Sequence, residues 1–294
     1  MRLMVFSLIL VFGLLSTMIS SAAAGDDRAQ QLLKQTRQAL GGEEALNGVK
    51  GMSLVGTLRR EQRSGEIKVS FLLPDKFKKS ETMTLIADIE LTFTSALNGD
   101  QFWTDSSTSG GGGAQVNTRG ARQGEGPPAA RAQLMRSEFA REVIGLLLAS
   151  PASVPVEFTY AGEAEAKDGR ADVLDVKGPD GFAARLYLDK TTHRPMMMQY
   201  RGVVPRVTVN TTTSQTGSRE DVDKILKDAK EGRGQMRQAR QEGDLATYFS
   251  DYRAVDGVML PHRISKAASG TLIEEWEVKK YKINPSLTAR DFEK

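Results

Sequence analysis

The sequence predicts a mainly β protein with some α-helix, an α+β fold in which a large antiparallel sheet is covered by two or three helices. About eleven stretches alternate apolar with polar residues, which is the period of a half-buried strand. Nearly all of them are joined by short turns and long helical crossovers are mostly missing, so neighbouring strands are expected to run antiparallel. Two further segments carry apolar residues at helical spacing, and such stripes require burial against a sheet.

The first residues have the composition of a secretory signal peptide, predicted over residues 1–24. A single arginine supplies the positive charge, Leu3–Ile19 is almost wholly apolar, and Ala22–Ala24 fits the small-residue pattern of a cleavage site. A membrane anchor is the alternative, but the apolar run is short for a span of about 20 residues and lacks a cationic flank after it. We therefore expect cleavage near Ala24 and a single soluble domain over residues 25–294.

The composition excludes several classes of protein. The chain has 294 residues and no cysteine, which excludes disulfides, thiolate catalysis, thiolate metal sites and a lipid-modified cysteine at the cleavage point. The formal net charge of +3 is close to neutral for this length and argues against binding of nucleic acid, which needs a basic patch. No later apolar run approaches the length of a membrane span, so the mature protein is expected to be peripheral to membranes at most.

The first predicted elements are a helix and a hairpin. Asp26–Leu40 has apolar residues on one helical face, and Gly41–Gly42 supplies the left-handed stop. Met52–Leu58 and Ile67–Leu73 then alternate as strands, and the polar stretch Arg59–Gly65 between them is predicted as a hairpin turn. Further along, Asn-Gly and Asp-Gly pairs mark other hairpins, because these residues tolerate positive φ angles.

Two polar segments interrupt the strand pattern. Residues 105–126 form a Gly-rich loop, and Ala114–Gln115 after its glycine run lack the lysine and hydroxyl that a phosphate-binding loop requires. A surface loop is therefore expected there, followed by a second apolar helix that starts at Pro127–Pro128 and extends to about Ala149. Residues 218–242 are predicted as a charged helical insert.

The last predicted strand, Thr271–Ile283, contains an irregularity. Leu272, Trp276 and Val278 share one face by alternation, whereas Tyr281 and Ile283 share the other. Such a slip in an otherwise apolar face predicts a β-bulge or a bend.

No catalytic or metal-binding set is visible in the sequence. His193 and His262 are the only histidines, lack metal-ligand spacing and are expected to be exposed turn residues. Met196–Met198 would point to alternate faces of a strand and cannot converge on one ion. Glu275 and Glu277 are placed on a solvated strand face, and no Gly-x-Ser-x-Gly elbow is present. The sequence therefore predicts no enzyme, no metal and no cofactor.

Four short motifs are typical of one family of exported proteins. They are the segments Leu73–Phe77, Leu97–Trp103, Leu186–Pro195 and Asp251–Pro261. Their order, after an N-terminal helix that ends in Gly-Gly, resembles the LolA/LolB-like superfamily of periplasmic lipoprotein and lipid carriers. Leu73 departs from that pattern, because the LolA carriers have a basic residue immediately before the strand proline. A relative that binds another apolar ligand therefore fits the motifs equally well.

The resemblance implies an unclosed half-barrel, capped by helices, with an apolar cavity that shields acyl chains in the periplasm. It implies a monomeric carrier for a lipid or an acylated protein, with a possible protein partner in the cell envelope. The alternative function is a non-enzymatic sensing or scaffold module of the same fold that acts through protein contacts. Inward alternation selects nine candidate cavity-lining residues: Leu54, Phe71, Phe77, Leu91, Phe93, Trp103, Leu186, Leu188 and Met197.

Overall fold

A computed structural model of the chain describes residues 19–60, 63–86, 89–109, 128–166, 169–204 and 242–294. Residues 1–18 of the predicted signal peptide lie outside the described residues, as do most of the Gly-rich loop and nearly all of the charged insert. Cleavage of the leader, the single-domain organisation and the form of these two segments therefore stay predictions.

The described residues form three α-helices, twelve strands and two short 3-10 turns. The helices are α1 (Ile19–Ala39), α2 (Glu43–Gly48) and α3 (Pro128–Leu147). The first strands are β1 (Gly51–Arg60), β2 (Arg63–Leu72), β3 (Lys76–Ile86), β4 (Ile89–Asn98), β5 (Gln101–Ser109) and β6 (Glu157–Ala166). The remaining strands are β7 (Gly169–Lys177), β8 (Ala183–Asp189), β9 (Pro195–Val203), β10 (Glu242–Val255), β11 (Val258–Ala268) and β12 (Thr271–Ile283).

All twelve strands belong to one antiparallel sheet with the order β5-β4-β3-β2-β1-β12-β11-β10-β9-β8-β7-β6. Almost every neighbour in this order is also a neighbour in sequence, and the pairing of β1 with β12 joins the two halves. In the described part of the chain β5 and β6 are the two edges, so the curled sheet is not closed into a barrel. The predicted α+β fold with an unclosed antiparallel sheet is therefore confirmed.

Helices α1 and α3 cover the same face of the sheet, which we call the inner face. Phe139, Val143 and Ile144 of α3 are fully buried, and they share one core with Leu32 of α1 and with Leu40, which directly follows α1. This burial is the expected result for two helices that each carry an apolar stripe. Helix α3, which the sequence predicted as the second helix, begins at Pro128, as the preference of proline for the first helical turn predicts.

Two bulges in β12 determine which of its residues face inward. The pairing with β1 shifts between Val55 and Gly56, where Lys279 is the extra residue on β12. The shift brings Tyr281 onto the same face as Trp276, so the predicted bulge is confirmed. A second shift in the pairing with β11 turns Leu272 away from Trp276, and Leu272 is 59% exposed. The expectation that Leu272 shares the face of Trp276 was therefore wrong.

Three predicted boundaries differ from the observed ones. α1 begins at Ile19 rather than Asp26, because the alanines of the predicted cleavage site are strong helix formers. Most of the predicted turn Arg59–Gly65 is strand, since β1 continues to Arg60 and pairs with the start of β2. The first residues assigned to the Gly-rich loop belong to β5, which continues to Ser109.

We expect the substitution Gly41→Ala to destabilise the fold. Gly41 has a φ of 131°, and a Cβ atom there would lie 2.2 Å from the carbonyl oxygen of Gly257 in the β10–β11 turn. Strain and the backbone clash should lower the free energy of unfolding by about 2 kcal/mol or more. The matched control is Gly48→Ala, where an added Cβ meets nothing within 4 Å and the expected change is below about 0.5 kcal/mol. Equal urea midpoints for the two variants would contradict this packing.

Candidate ligand site on the inner face

Charged side chains lie within the apolar inner face, next to α3. We call this group the inner charge cluster; it consists of Arg60, Lys79, Glu81, Glu138, Glu142, Lys266 and Glu274. Five of its residues come from the sheet and two from α3. The side chains are only 6 to 27% exposed, so their charges interact in a partly dehydrated environment.

Two glutamates connect α3 to the sheet. Glu138 and Glu142 are one helical turn apart and therefore project from the same face of α3. Glu138 forms an ion pair and a hydrogen bond with Lys79 of β3. Lys266 of β11 lies 3.4 Å from an oxygen of Glu142 and 4.0 Å from an oxygen of Glu138. The charges of Lys79 and Lys266 are thus neutralised in part by the two glutamates of α3.

The other contacts of the cluster stay within the sheet. Arg60 donates hydrogen bonds to Glu81 at 3.1 Å and, through its Nε, to Glu274 at 2.9 Å. Glu274 also accepts a hydrogen bond of 2.7 Å from the indole of Trp276, and the ammonium group of Lys266 lies 4.1 Å from the centre of that ring. Trp276 is fully buried and therefore reports directly on the surroundings of the cluster.

The electrostatics of the cluster favour the charged forms of Lys79, Lys266 and Glu138. Burial opposes the charged form of Lys79, but the carboxylates of Glu138, Glu81 and Glu274 more than offset it and raise its pKa above the ordinary value. Lys266 has a raised pKa for the same reasons, with Glu142 and Glu274 as the main partners. Burial would raise the pKa of Glu138, yet the two lysines lower it below its usual range. These two lysines and Glu138 are therefore charged at neutral pH.

Seven of the nine candidate cavity residues lie on the inner face. Leu54, Phe71, Phe77, Leu186 and Leu188 are at most 2% exposed and belong to the closed core under α1 and α3. Leu91 and Phe93 lie on β4 opposite Met83 and Glu81, and both are half-buried. The inner face thus brings the apolar candidates together with the charge cluster.

The other two candidates, Trp103 and Met197, point to the outer face. Trp103 lies opposite Ala96 in the β4–β5 pairing and donates a hydrogen bond of 2.8 Å to the carbonyl of Phe292. Met197 lies between Tyr187 and Tyr248 on neighbouring strands. Alternation separates the two faces of a strand but could not identify which face the helices cover.

A hollow of about 280 Å³ opens beside the N-terminal half of α3. Its lining consists of Asp100, Phe102, Ala129, Ala132 and Arg136. This volume is at the lower limit of the roughly 300–1,000 Å³ that is usual for pockets that hold drug-sized ligands. A smaller hollow near Val154 and Phe182 measures about 10 Å³, which is room for one water at most.

The charge cluster was not predicted from the sequence, although the alternation of residues along the strands already places its charged residues on the inner face. Lys79 and Glu81 lie two and four residues after Phe77 on β3. Side chains at this spacing share one face of a strand, so both had to share the inward face of Phe77. Glu274 shares the face of Trp276 for the same reason. Glu275 and Glu277 do lie on the opposite, solvated face, where Arg59 pairs with both.

The histidines and methionines have structural positions. His262 is a buried residue of β11, packs edge-on against Tyr281 and lies 3.2 Å from the carbonyl of Leu260, so the expectation of an exposed turn residue was wrong. His193 is half-buried in the turn after β8. Met198 is in the core whereas Met196 and Met197 are half-buried, and Met196 is the extra residue where the pairing of β8 with β9 shifts. Within the ranges that the structure describes, no group of three His, Cys, Asp or Glu side chains could hold a metal ion.

None of the helices in the described residues has the length and apolar character that a membrane span requires.

The fold and site define a class of protein: an unclosed antiparallel half-barrel with helices packed on its inner face. Among solved structures, this chain is similar to LolA superfamily protein NE2245 from Nitrosomonas europaea, at 10% identity and a TM-score of 0.46, over 90% of this chain and 97% of that one. It is similar to a DUF1329 family protein from Desulfovibrio piger ATCC 29098 at 11% identity and a TM-score of 0.44, over 90% and 97% of the two chains. No protein-family model and no curated protein matches the sequence.

Removal of both charges from the link between α3 and the sheet is expected to cost less than the sum of the two single removals. Lys79→Met leaves Glu138 without its nearest cation, and Glu138→Gln does the converse, so each should lower the free energy of unfolding by about 3 kcal/mol. The double variant should be more stable than the sum of the two losses predicts, because neither charge is then left unpaired. Urea denaturation of the four proteins measures this coupling.

Arg59→Met is the matched control for that cycle. Arg59 lies next to Arg60 on β1 and also forms two ion pairs, but it is 54% exposed. Its loss should change the free energy of unfolding by no more than about 1 kcal/mol. Strict additivity of the Lys79 and Glu138 variants would contradict the assigned ion pair.

The cluster also determines where stability depends on pH. The folded-state pKa of Glu138 is lowered, so its contribution is present above its unfolded pKa of about 4.3 and is lost as the pH falls through the folded value. The folded-state pKa values of Lys79 and Lys266 are raised, so their contribution is present below about 10.4 and is lost as the pH rises through the folded values.

Stability measured by urea denaturation should therefore be greatest between about pH 5 and pH 10 and should decline on both sides. The decline on the acid side should be smaller in Glu138→Gln than in Glu277→Gln, whose carboxylate is 53% exposed. Identical acid-side slopes for these two variants would exclude Glu138 as a contributor.

Proposed function

We propose that this protein is a non-enzymatic carrier or binding protein of the periplasm that holds the acyl chains of a lipid or an acylated protein on its inner face. The observation that supports the proposal is the packing of α3. This amphipathic helix covers the apolar inner face of the sheet, which an acyl chain could cover in its place. The predicted leader supports export to the periplasm, and the apolar inner face supports the choice of ligand.

Exchange of α3 for an acyl chain is physically reasonable. An acyl chain exposed to water costs about 0.8 kcal/mol for each CH₂ group. Displacement of α3 alone would expose Phe139 and its partners Phe71 and Phe77, whose ring centres are 6.1 and 5.3 Å away. An acyl chain that enters as α3 leaves would cover the sheet side of this surface and recover part of the lost burial.

The N-terminal half of α3 is the part suited to move. It borders the 280 Å³ hollow through Ala129 and Ala132, and Leu134 on this half is 45% exposed. The C-terminal end is tied down, because Arg37 of α1 donates hydrogen bonds to the carbonyls of Leu147 and Leu148 at 3.4 and 3.2 Å. We therefore propose that the hollow is the entrance and that α3 opens from its N-terminal end.

The second candidate function is a sensing or scaffold module that acts through protein contacts in the cell envelope. It is favoured by a partly exposed apolar strip on the outer face, formed by Tyr187, Met197 and Tyr248 on adjacent strands. Tyr248 is 41% exposed, although aromatic residues of this size are usually buried. A partner protein that covers this strip would leave α3 in place.

The two tryptophans allow a direct test. Trp276 lies beside the charge cluster on the inner face, whereas Trp103 lies on the outer face. In Trp103→Phe, the remaining fluorescence comes from Trp276 alone. We expect titration of the delipidated variant with fatty acid to change this fluorescence saturably, because water reaches Trp276 when α3 moves. Mass spectrometry of the protein from its native host should detect lipid that copurifies.

The control is Trp276→Phe, which keeps only the outer-face reporter. Its fluorescence should stay constant over the same titration. If neither the Trp276 signal nor a fluorescent fatty-acid probe responds, and no lipid copurifies, the carrier function is wrong and the protein-contact function is favoured.

A further inference from the structure

We propose that the lysines of the inner charge cluster, Lys79 and Lys266, form the site for an anionic headgroup of the ligand. In the closed state, the carboxylates of α3 take the place of this headgroup. The inference rests on the proposed function and deepens it, because it names the class of ligand as an amphiphile with a carboxylate or phosphate head.

The charges of the sheet leave room for one anion. Arg60, Lys79 and Lys266 supply three positive charges, and Glu81 and Glu274 supply two negative ones. The sheet side of the cluster thus has one excess positive charge when α3 is absent. A buried excess charge of this kind is costly unless an opposite charge accompanies it. A ligand that covers the sheet in place of α3 therefore binds more favourably if it brings an anion to replace the carboxylates of the helix.

The positions of the α3 carboxylates define where the headgroup would bind. One oxygen of Glu138 pairs with Lys79 and also lies 4.0 Å from the Nζ of Lys266, so a single oxyanion at this point contacts two ammonium groups. Arg60 already pairs with two carboxylates of the sheet, Glu81 and Glu274. It therefore adds a positive charge near the headgroup position and does not donate a hydrogen bond to the headgroup. Two ammonium groups around one oxyanion are the arrangement that binds carboxylate or phosphate.

Two features show that the fit between α3 and this site is incomplete. The second carboxylate oxygen of Glu142 is buried and accepts no hydrogen bond from the described residues. The pair between Lys266 and Glu142 is 3.4 Å long, which exceeds the usual 2.7–2.9 Å of a charge-assisted hydrogen bond. A ligand oxyanion that is free to adjust its position can contact Lys79 as Glu138 does and approach Lys266 more closely than the helix does.

The apolar surface next to the lysines fits an attached chain. Phe77 is two residues from Lys79 on the same face of β3, a separation of about 6.7 Å. Leu97 lies opposite Phe77, and Phe102 follows on β5 at the wall of the hollow. A headgroup at the lysines thus places its chain along this aromatic row and toward the proposed entrance.

The test compares three amphiphiles with the same chain and different heads. Laurate, dodecyl phosphate and dodecanol are titrated into the full protein carrying Trp103→Phe, with Trp276 fluorescence and isothermal calorimetry as readouts. We expect the two anions to bind at least tenfold more tightly than dodecanol. The relative affinity of laurate and dodecyl phosphate then distinguishes a carboxylate head from a phosphate head.

Substitutions at the cluster should change this preference in opposite directions. Lys79→Gln with Lys266→Gln should abolish the preference for anions, so that laurate and dodecyl phosphate bind no more tightly than dodecanol does to the same variant. Glu138→Gln, which removes the competing carboxylate, should strengthen the binding of laurate. Lys78→Gln is the matched control, because Lys78 is the neighbour of Lys79 on β3 but contacts Trp103 and Asp291 on the outer face. It should leave all three affinities unchanged.

The outcomes separate the inference from the proposed function. Equal binding of the three amphiphiles, or an anion preference that survives loss of both lysines, would overturn the headgroup site and leave the carrier function intact. Weaker laurate binding in Glu138→Gln would also overturn it, and this variant keeps both lysines if the lysine variants fail to fold. No binding of any amphiphile would overturn both.

Discussion

The position of α3 on the inner face is the constraint on which the rest of the structure depends. Apolar contacts alone would allow the helix to rotate or slide, since the burial of Phe139, Val143 and Ile144 is not directional. The ion pairs of Glu138 and Glu142 do not allow this, because a shift of one residue would bury their charges without partners. The apolar face thus supplies the burial, and the two glutamates determine the register.

The same helix couples the two ends of the sheet. The C-terminal carbonyls of α3 accept hydrogen bonds from Arg37, which also binds Glu43 and Asn47 and so connects α1 with α2. After α1, the carbonyl of Leu40 accepts a hydrogen bond from Met259, which anchors α1 to the β10–β11 hairpin. The C-terminal end of α3 is therefore connected to α1 and α2, whereas its N-terminal half borders the 280 Å³ hollow.

Local patterns were sufficient to predict the sheet, and even the bulge at Lys279 followed from the slip of Tyr281. The site depended on information that local patterns lack. Alternation shows that Trp103 and Phe102 point to opposite faces, but the covering of Trp103 by Phe292 is a contact between distant parts of the chain. The expectation that interior residues are apolar then concealed Lys79 and Glu81, whose charges are tolerable only because α3 supplies partners.

The charges on the inner face require an explanation beyond stability. Well-packed apolar side chains usually stabilise a core at least as well as buried ion pairs do, because charges lose their hydration on burial. An ionic link, however, responds differently from an apolar one when the helix moves. Apolar surface can be covered by any chain of suitable shape, whereas Lys79 and Lys266 accept only an anion in exchange for Glu138 and Glu142. A helix held in this way resists random opening and yields to a ligand that supplies both an apolar chain and a negative charge. Under the proposed function, specificity for such a ligand accounts for these charges within an apolar half-barrel better than additional stability does.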